Sequence, residues 1–399
     1  MEYNKCTQMK KHANLILFVI GVVILSLVYF SGLTTKSLEI KEDSEKETTE
    51  NKSINEIRVR KLIGQMLIVG FRGTSVNENS YIVQKIKDLN LGGIILFDYD
   101  IPTKSKGRNI TNPAQTKKLI SDIVSYTTTS LLVSIDAEGG TVNRLKPEYG
   151  FADIPSHETL GNKPKEETFR TAKILGEELS ELGINFNFAP VVDLNINKEN
   201  PIIGKLGRSF GTDPEKVSAH ADVFIRGLHD SGVLSSIKHF PGHGSSNTDS
   251  HLGIVDVTDT YQEKELQPFK TLIESKLADT VMVAHVFNRT IDPDYPASLS
   301  KIFITDILRN NLGFNGVVIS DDMDMGAIRN NYGFEDAIVK AIKAGTDMLI
   351  ISNNGTIYDE SSPKRAIDAI WNSVKTGDIS PSDIYASTER IKILKEKIK

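Results

Sequence analysis

Short apolar runs recur along residues 56–399, each followed by a longer stretch compatible with a helix. The runs are Met66–Gly70, Gly93–Phe97, Ser130–Asp136, Ile184–Pro190, Leu234–His239, Thr280–His285, Gly316–Ser320 and Asp347–Ser352. Most are unbroken Val, Ile and Leu, as expected of parallel strands covered on both faces. Between them, Glu167–Leu182, Asp213–Ser231 and Phe334–Ala344 read as amphipathic helices. Glycine often stands in the turn before a strand, as at Leu182-Gly183 and Leu312-Gly313. Eight β/α alternations predict an α/β chain folded as a (β/α)8 barrel of TIM type, which typically takes about 250 residues and often more.

Such a barrel places its chemistry just beyond the C-terminal ends of its strands. The residues at those points are Phe71 and Arg72, Asp98, Asp136 and Glu138, Asp193, Lys238 and His239, His285, Asp321 and Asp322, and Asn353 and Asn354. Polar and ionisable side chains gather where the fold needs them.

The N-terminal pattern is different. No charge falls between Ala13 and Thr35, and Leu15–Phe30 is almost continuously apolar. That length approaches what a helix needs to cross about 30 Å of hydrocarbon. Lys5, Lys10 and Lys11 precede it, so the positive-inside rule puts the N-terminus in the cytoplasm and the remainder outside. The alternative is a cleaved signal, but the run exceeds a typical signal core and no A-x-A site follows. Residues 36–55 are rich in Lys, Glu, Asp, Ser, Thr and Asn and read as a solvated tether. The expected organisation is therefore 1–35 tip and anchor, 36–55 disordered linker, and 56–399 catalytic barrel.

Composition narrows the class. The 399 residues carry 47 Lys and Arg against 52 Asp and Glu, a net charge of −5, with 39% hydrophobic residues. The charges of 1–55 cancel, so the acidity belongs to 56–399, which argues against a nucleic-acid partner. One cysteine excludes an internal disulfide, and Cys6 falls on the expected cytoplasmic side, leaving the external part without a thiol.

The densest chemistry is KHFPGHGSSNTDSH at Lys238–His251, with three of the eight histidines and one aspartate in fourteen positions. Pro-Gly and Gly-Ser-Ser favour a loop. A metal site from His239, His243, Asp249 and His251 is the weaker reading, since nothing else matches a known ligand spacing. The stronger is acid–base chemistry by Asp249-Ser-His251. A carboxylate near a histidine fixes its tautomer, and a pKa of about 6.5 suits proton transfer near neutrality. In Gly316–Met325, three acids follow a buried strand. A helix N-terminus accounts for Asp322 and Asp324, whereas Asp321 is best placed to face the barrel mouth as a carboxylate nucleophile. Asp136 and Arg144 flank paired glycines and could bind hydroxyls. Arg208 alone would usually be a solvated loop arginine.

Together these residues resemble glycoside hydrolase family 3, in its β-N-acetylhexosaminidase branch. The resemblance runs through IGQMLIVGF near Ile63, GGIILF at Gly92, DAEGGTVNR at Asp136, FNFAPVVDLN at Phe186 and GRSFG at Gly207. It continues in KHFPGHG…DSH at Lys238, VMVAHV at Val281, PASLS at Pro296 and GVVISDDMDMGAI at Gly316. It implies Asp321 as nucleophile, His251 as acid/base and Asp249 as its dyad partner. Asp136, Arg144, Arg208, Lys238 and His239 would be sugar-binding, with no cofactor or metal. Ser245-Ser246 stands where many members have Asp-Thr. The C-terminal domain of some members is not expected, so the site should be complete within the barrel. The implied reaction is retaining hydrolysis of terminal, non-reducing β-linked N-acetylglucosamine, with peptidoglycan fragments as the expected substrate. A phosphorylase or β-glucosidase on the same site, or a non-catalytic wall-binding module, are the rivals.

Overall fold

A computed structural model describes residues 55–249 and 253–398; the apolar N-terminal run, most of the tether and His251 lie outside them. Val59–Lys399 forms one unit. Its eight strands are β1 Leu67–Gly70, β2 Gly93–Leu96, β3 Leu132–Ile135, β4 Phe186–Asn187, β5 Leu234–Phe240, β6 Thr280–Val283, β7 Val317–Asp322 and β8 Met348–Ile351. Each pairs in parallel with its neighbours in sequence order, and Leu67 opposite Leu349 closes β8 onto β1. All eight runs read from the sequence are strands of this closed barrel. Every residue of β1, β2, β3, β6 and β8 is buried, the consequence of side chains filling the barrel on one face and meeting helices on the other.

The outer layer comprises α1 Tyr81–Leu89, α2 Pro113–Ser125, α3 Lys165–Leu182, α4 Pro214–Asp230, α5 Gln267–Glu274, α6 Ile302–Asn311, α7 Phe334–Ala344, α8 Ser362–Thr376 and α9 Pro381–Lys395. Local chemistry sets their ends. Asn112 and Asp213 accept from the amides of Gln115 and Lys216, and each is followed by a proline whose missing N–H is no loss in the first turn. Gly183 ends α3 with φ at 85°, a conformation that costs a glycine little. Helices α3 and α4 approach closely at Gly227, where a Cβ would stand 2.7 Å from that of Ala172.

The two ends of the barrel use charge differently. Below the strands, Asp279 binds His229, Ser235 and Lys397, and Asp347 binds Arg309, Arg390 and Ser387. These contacts tie helices to the sheet. Above the strands the loops form small ribbons, the hairpin of Tyr99–Asp100 with Ser105–Lys106 and the antiparallel pair Ala137–Gly139 with Val142–Asn143. Here the charges face one another around a cavity.

Candidate active site

The cavity at the C-terminal mouth has a volume of about 610 Å³, within the range of small-molecule sites. Asp136, Arg144, Arg208, Lys238, His239 and Asp321 all line it, so six of the eight expected site residues share one wall system. Asp249 is half-buried on the loop after β5, and His251 falls outside the described residues.

The polar floor is one connected network. Lys238, near the end of β5, reaches Asp136 Oδ1 and Glu138 Oε1, both at 2.7 Å from its Nζ. Glu138 also accepts from Arg208 Nε at 2.8 Å and Nη2 at 2.7 Å. Arg208 Nη2 lies 3.2 Å from His239 Nε2. A guanidinium has no lone pair to offer, so Nε2 accepts, and Nδ1–H donates to Asp193 Oδ2 at 2.6 Å. Asp193 accepts in turn from the His243 amide at 2.8 Å.

Burial opposes every charge in this network, and mutual pairing decides the outcome. Burial would raise the Glu138 carboxyl, but Arg208 and Lys238 hold it well below the usual carboxylate range. Burial likewise opposes charge on Lys238, yet Asp136 and Glu138 leave its pKa raised. Burial would raise Asp193, but His239 and His243, each donating a hydrogen bond to it, together hold it below its ordinary value. For His243 burial prevails: it brings the imidazole down to about 4, although the carboxylates of Asp193 and Asp321 favour its charged form.

Asp321 is the penultimate residue of β7, half-buried, with Oδ1 accepting from the Asp322 amide at 2.8 Å. The neighbouring acids are not complements to a helix dipole, as the sequence suggested. Met325 caps the short helix Gly326–Tyr332, whose first turn holds no acid. Asp322 instead accepts from the Ser352 amide and hydroxyl and ties β7 to the end of β8, while Asp324 pairs with Arg329 and accepts from the Asn353 amide. Burial and the charge of Asp324 push Asp322 up to about 7. His285 Nε2 donates to the Asp322 carbonyl at 3.0 Å, its Nδ1 accepting from Ser298 at 2.7 Å, which steadies the backbone beside Asp321.

The metal reading finds no geometric support among the described residues, where no group of three or more His, Cys, Asp or Glu converges. The rings of His239 and His243 are 6.0 Å apart, with Nδ1 turned to Asp193 and to Ser246 respectively.

Residues 58–394 match the family described as "Glycosyl hydrolase family 3 N terminal domain". The chain belongs to glycosyl hydrolase family 3. Its relatives include the beta-hexosaminidase of Nitrosomonas eutropha, 33% identical over 304 residues that cover 74% of this chain and 82% of that protein. Among solved structures, a family 3 β-N-acetylglucosaminidase from Paenibacillus superposes with a TM-score of 0.77 at 35% identity, covering 85% of this chain. This chain spans only 62% of that protein's length. A β-N-acetylhexosaminidase from Beutenbergia cavernae gives a TM-score of 0.75 at 29% identity, covering 85% of this chain and 98% of that one. The family, the barrel and the glycoside hydrolase class of β-hexosaminidase type expected from the motifs are borne out.

Two features of this family 3 site were not legible from the residues themselves. Arg208, which only the resemblance had placed in the site, is no solvated loop arginine: it is buried against Glu138. Glu138 itself was read only as a strand-end position, though it stands two residues from Asp136 in the same motif; that proximity was the available signal.

Proposed function

We propose that this family 3 barrel is a retaining β-N-acetylhexosaminidase that releases terminal, non-reducing β-linked N-acetylglucosamine, with Asp321 as the nucleophile. The observation that carries this reading is the carboxylate of Asp321 at the end of β7, on the wall of a cavity whose floor is the Asp136–Lys238–Glu138–Arg208–His239 network. Such a floor suits a sugar. The half-buried Asp136 accepts from a hydroxyl, and Lys238 has three N–H donors of which Asp136 and Glu138 take two. Arg144, 3.8 Å from Asp136, supplies a further donor at the edge.

In the first step Asp321 attacks the anomeric carbon as the glycosidic bond breaks. Protonated His251 gives its proton to the leaving oxygen, and a glycosyl-enzyme results. In the second, neutral His251 takes a proton from water, which displaces Asp321 and restores the enzyme. Asp249, two residues from His251, would orient the ring and stabilise its charged form. Residues 1–35 would anchor the chain with the barrel outside the cell and 36–55 as tether, which makes peptidoglycan fragments the natural substrate class.

Asp321→Ala should lower turnover of an aryl N-acetylglucosaminide on the order of 10³-fold or more without changing the melting temperature. Near-normal turnover would sink the assignment, as would a slow 2-fluoro sugar labelling any residue but Asp321. Free N-acetylglucosamine as product in the presence of phosphate supports hydrolysis; the 1-phosphate would point to a phosphorylase.

A further inference from the structure

The cavity wall changes character between its floor and its rim. Lys238, His239 and Arg208 on the floor are buried, whereas Tyr99 and Ile101 on the same cavity are 37% and 49% exposed. Between them Asp100 is only 3% exposed. Tyr99 and Asp100 form the strand and Ile101 opens the turn that follows; Tyr99 and Ile101 both line the cavity, while Asp100 between them is buried. The segment is firmly held. Asp100 accepts from Arg72 Nε at 2.7 Å and Arg108 Nη1 at 2.7 Å, and from Thr103. The single amide of Asn354 binds on both sides of it, donating to the Tyr99 carbonyl and accepting from the Ile101 amide, each at 3.0 Å. An anchored strand edge that presents an aromatic ring and an isoleucine to solvent, continuous with a polar pocket, is how a ligand groove is built.

From this geometry we propose that the hairpin Tyr99–Lys106 forms the subsite for the leaving group, with Tyr99 as the face on which a second pyranose ring lies; the proposal rests on the hydrolase reading. An enzyme that removes a terminal sugar holds that sugar at the closed polar end, so whatever it was attached to extends toward the rim. A pyranose offers there a face of C–H bonds with hydroxyls around its edge. Laid on Tyr99 and against Ile101, it buries that face while its hydroxyls remain in water.

The test compares kcat/KM on N,N′-diacetylchitobiose, whose leaving group is a sugar, with that on N-acetyl-β-glucosaminyl fluoride, whose leaving group is one atom. Tyr99→Ala should lower the disaccharide value about 3- to 10-fold and leave the fluoride value unchanged, while Tyr99→Phe keeps both near wild type. An equal fall on both substrates, or no fall on the disaccharide, would overturn the subsite while the hydrolase reading stands. Failure of the wild-type chain to release N-acetylglucosamine from either substrate would overturn both.

Discussion

Glu138 accepts from Arg208 through both oxygens while Lys238 Nζ lies 2.7 Å from the same carboxylate. One buried acid thus fixes two cations that line the cavity. Removing it takes from the buried Arg208 the carboxylate it pairs with and from the buried Lys238 one of its two. Glu138→Ala should therefore cost about 3–5 kcal/mol in urea denaturation, with kcat/KM falling because both side chains lose their positions. An unchanged midpoint would show that Asp136 and Asp193 suffice. Asp136 and Asp321 were legible from their positions at strand ends. Glu138 was harder to read, because Arg208 is 70 residues away and nothing local tells a buried carboxylate from a solvated one.

At the scale of elements, apolar runs located all eight strands, but their lengths depended on partners. Ile184–Pro190 reads as one strand, yet only Phe186–Asn187 is regular strand. Single bonds continue the contact on either side, past Pro190, which has no N–H to give, to the bridge of Val191 with Lys238. Conversely β7 continues through Asp321 and Asp322, since Asp322 pairs with Ile350 of β8. The hairpin Tyr99–Lys106 is not among the runs the sequence marks: its order comes from Arg72, Arg108 and Asn354, the last lying 255 residues from Tyr99 in sequence. Asp100 is the pin. Asp100→Ala strips the buried Arg108 of its carboxylate but leaves it the Asn353 carbonyl and the Asn354 side chain, so the expected cost is about 3 kcal/mol. Hydrogen exchange at 99–106 should quicken while strand amides stay protected. Unaltered exchange there would place the hairpin's order elsewhere.

For the whole molecule, the proposed anchor has a direct physical test. An apolar segment of this length should hold the full chain in the membrane fraction through a high-salt wash and release it only to detergent. Added protease should reach the barrel from outside intact cells. A shorter, soluble chain beginning beyond residue 30 would instead establish a cleaved signal. Neither result touches the barrel's own chemistry, since Val59–Lys399 makes one unit that contains every described residue of the cavity.

The order of apolar and polar residues was enough to determine a (β/α)8 barrel, because strands buried on both faces and helices buried on one leave different periods in the chain. It also set the strand ends that point Asp136, Lys238, His239 and Asp321 to one side. Tertiary structure alone decided which charges meet. Glu138 joins Arg208 to Lys238, Asp322 ties β7 to β8, and Asp100 holds an aromatic rim over the cavity. Those pairings depend on distance in space and on exclusion of water, and neither leaves a pattern that recurs along a sequence.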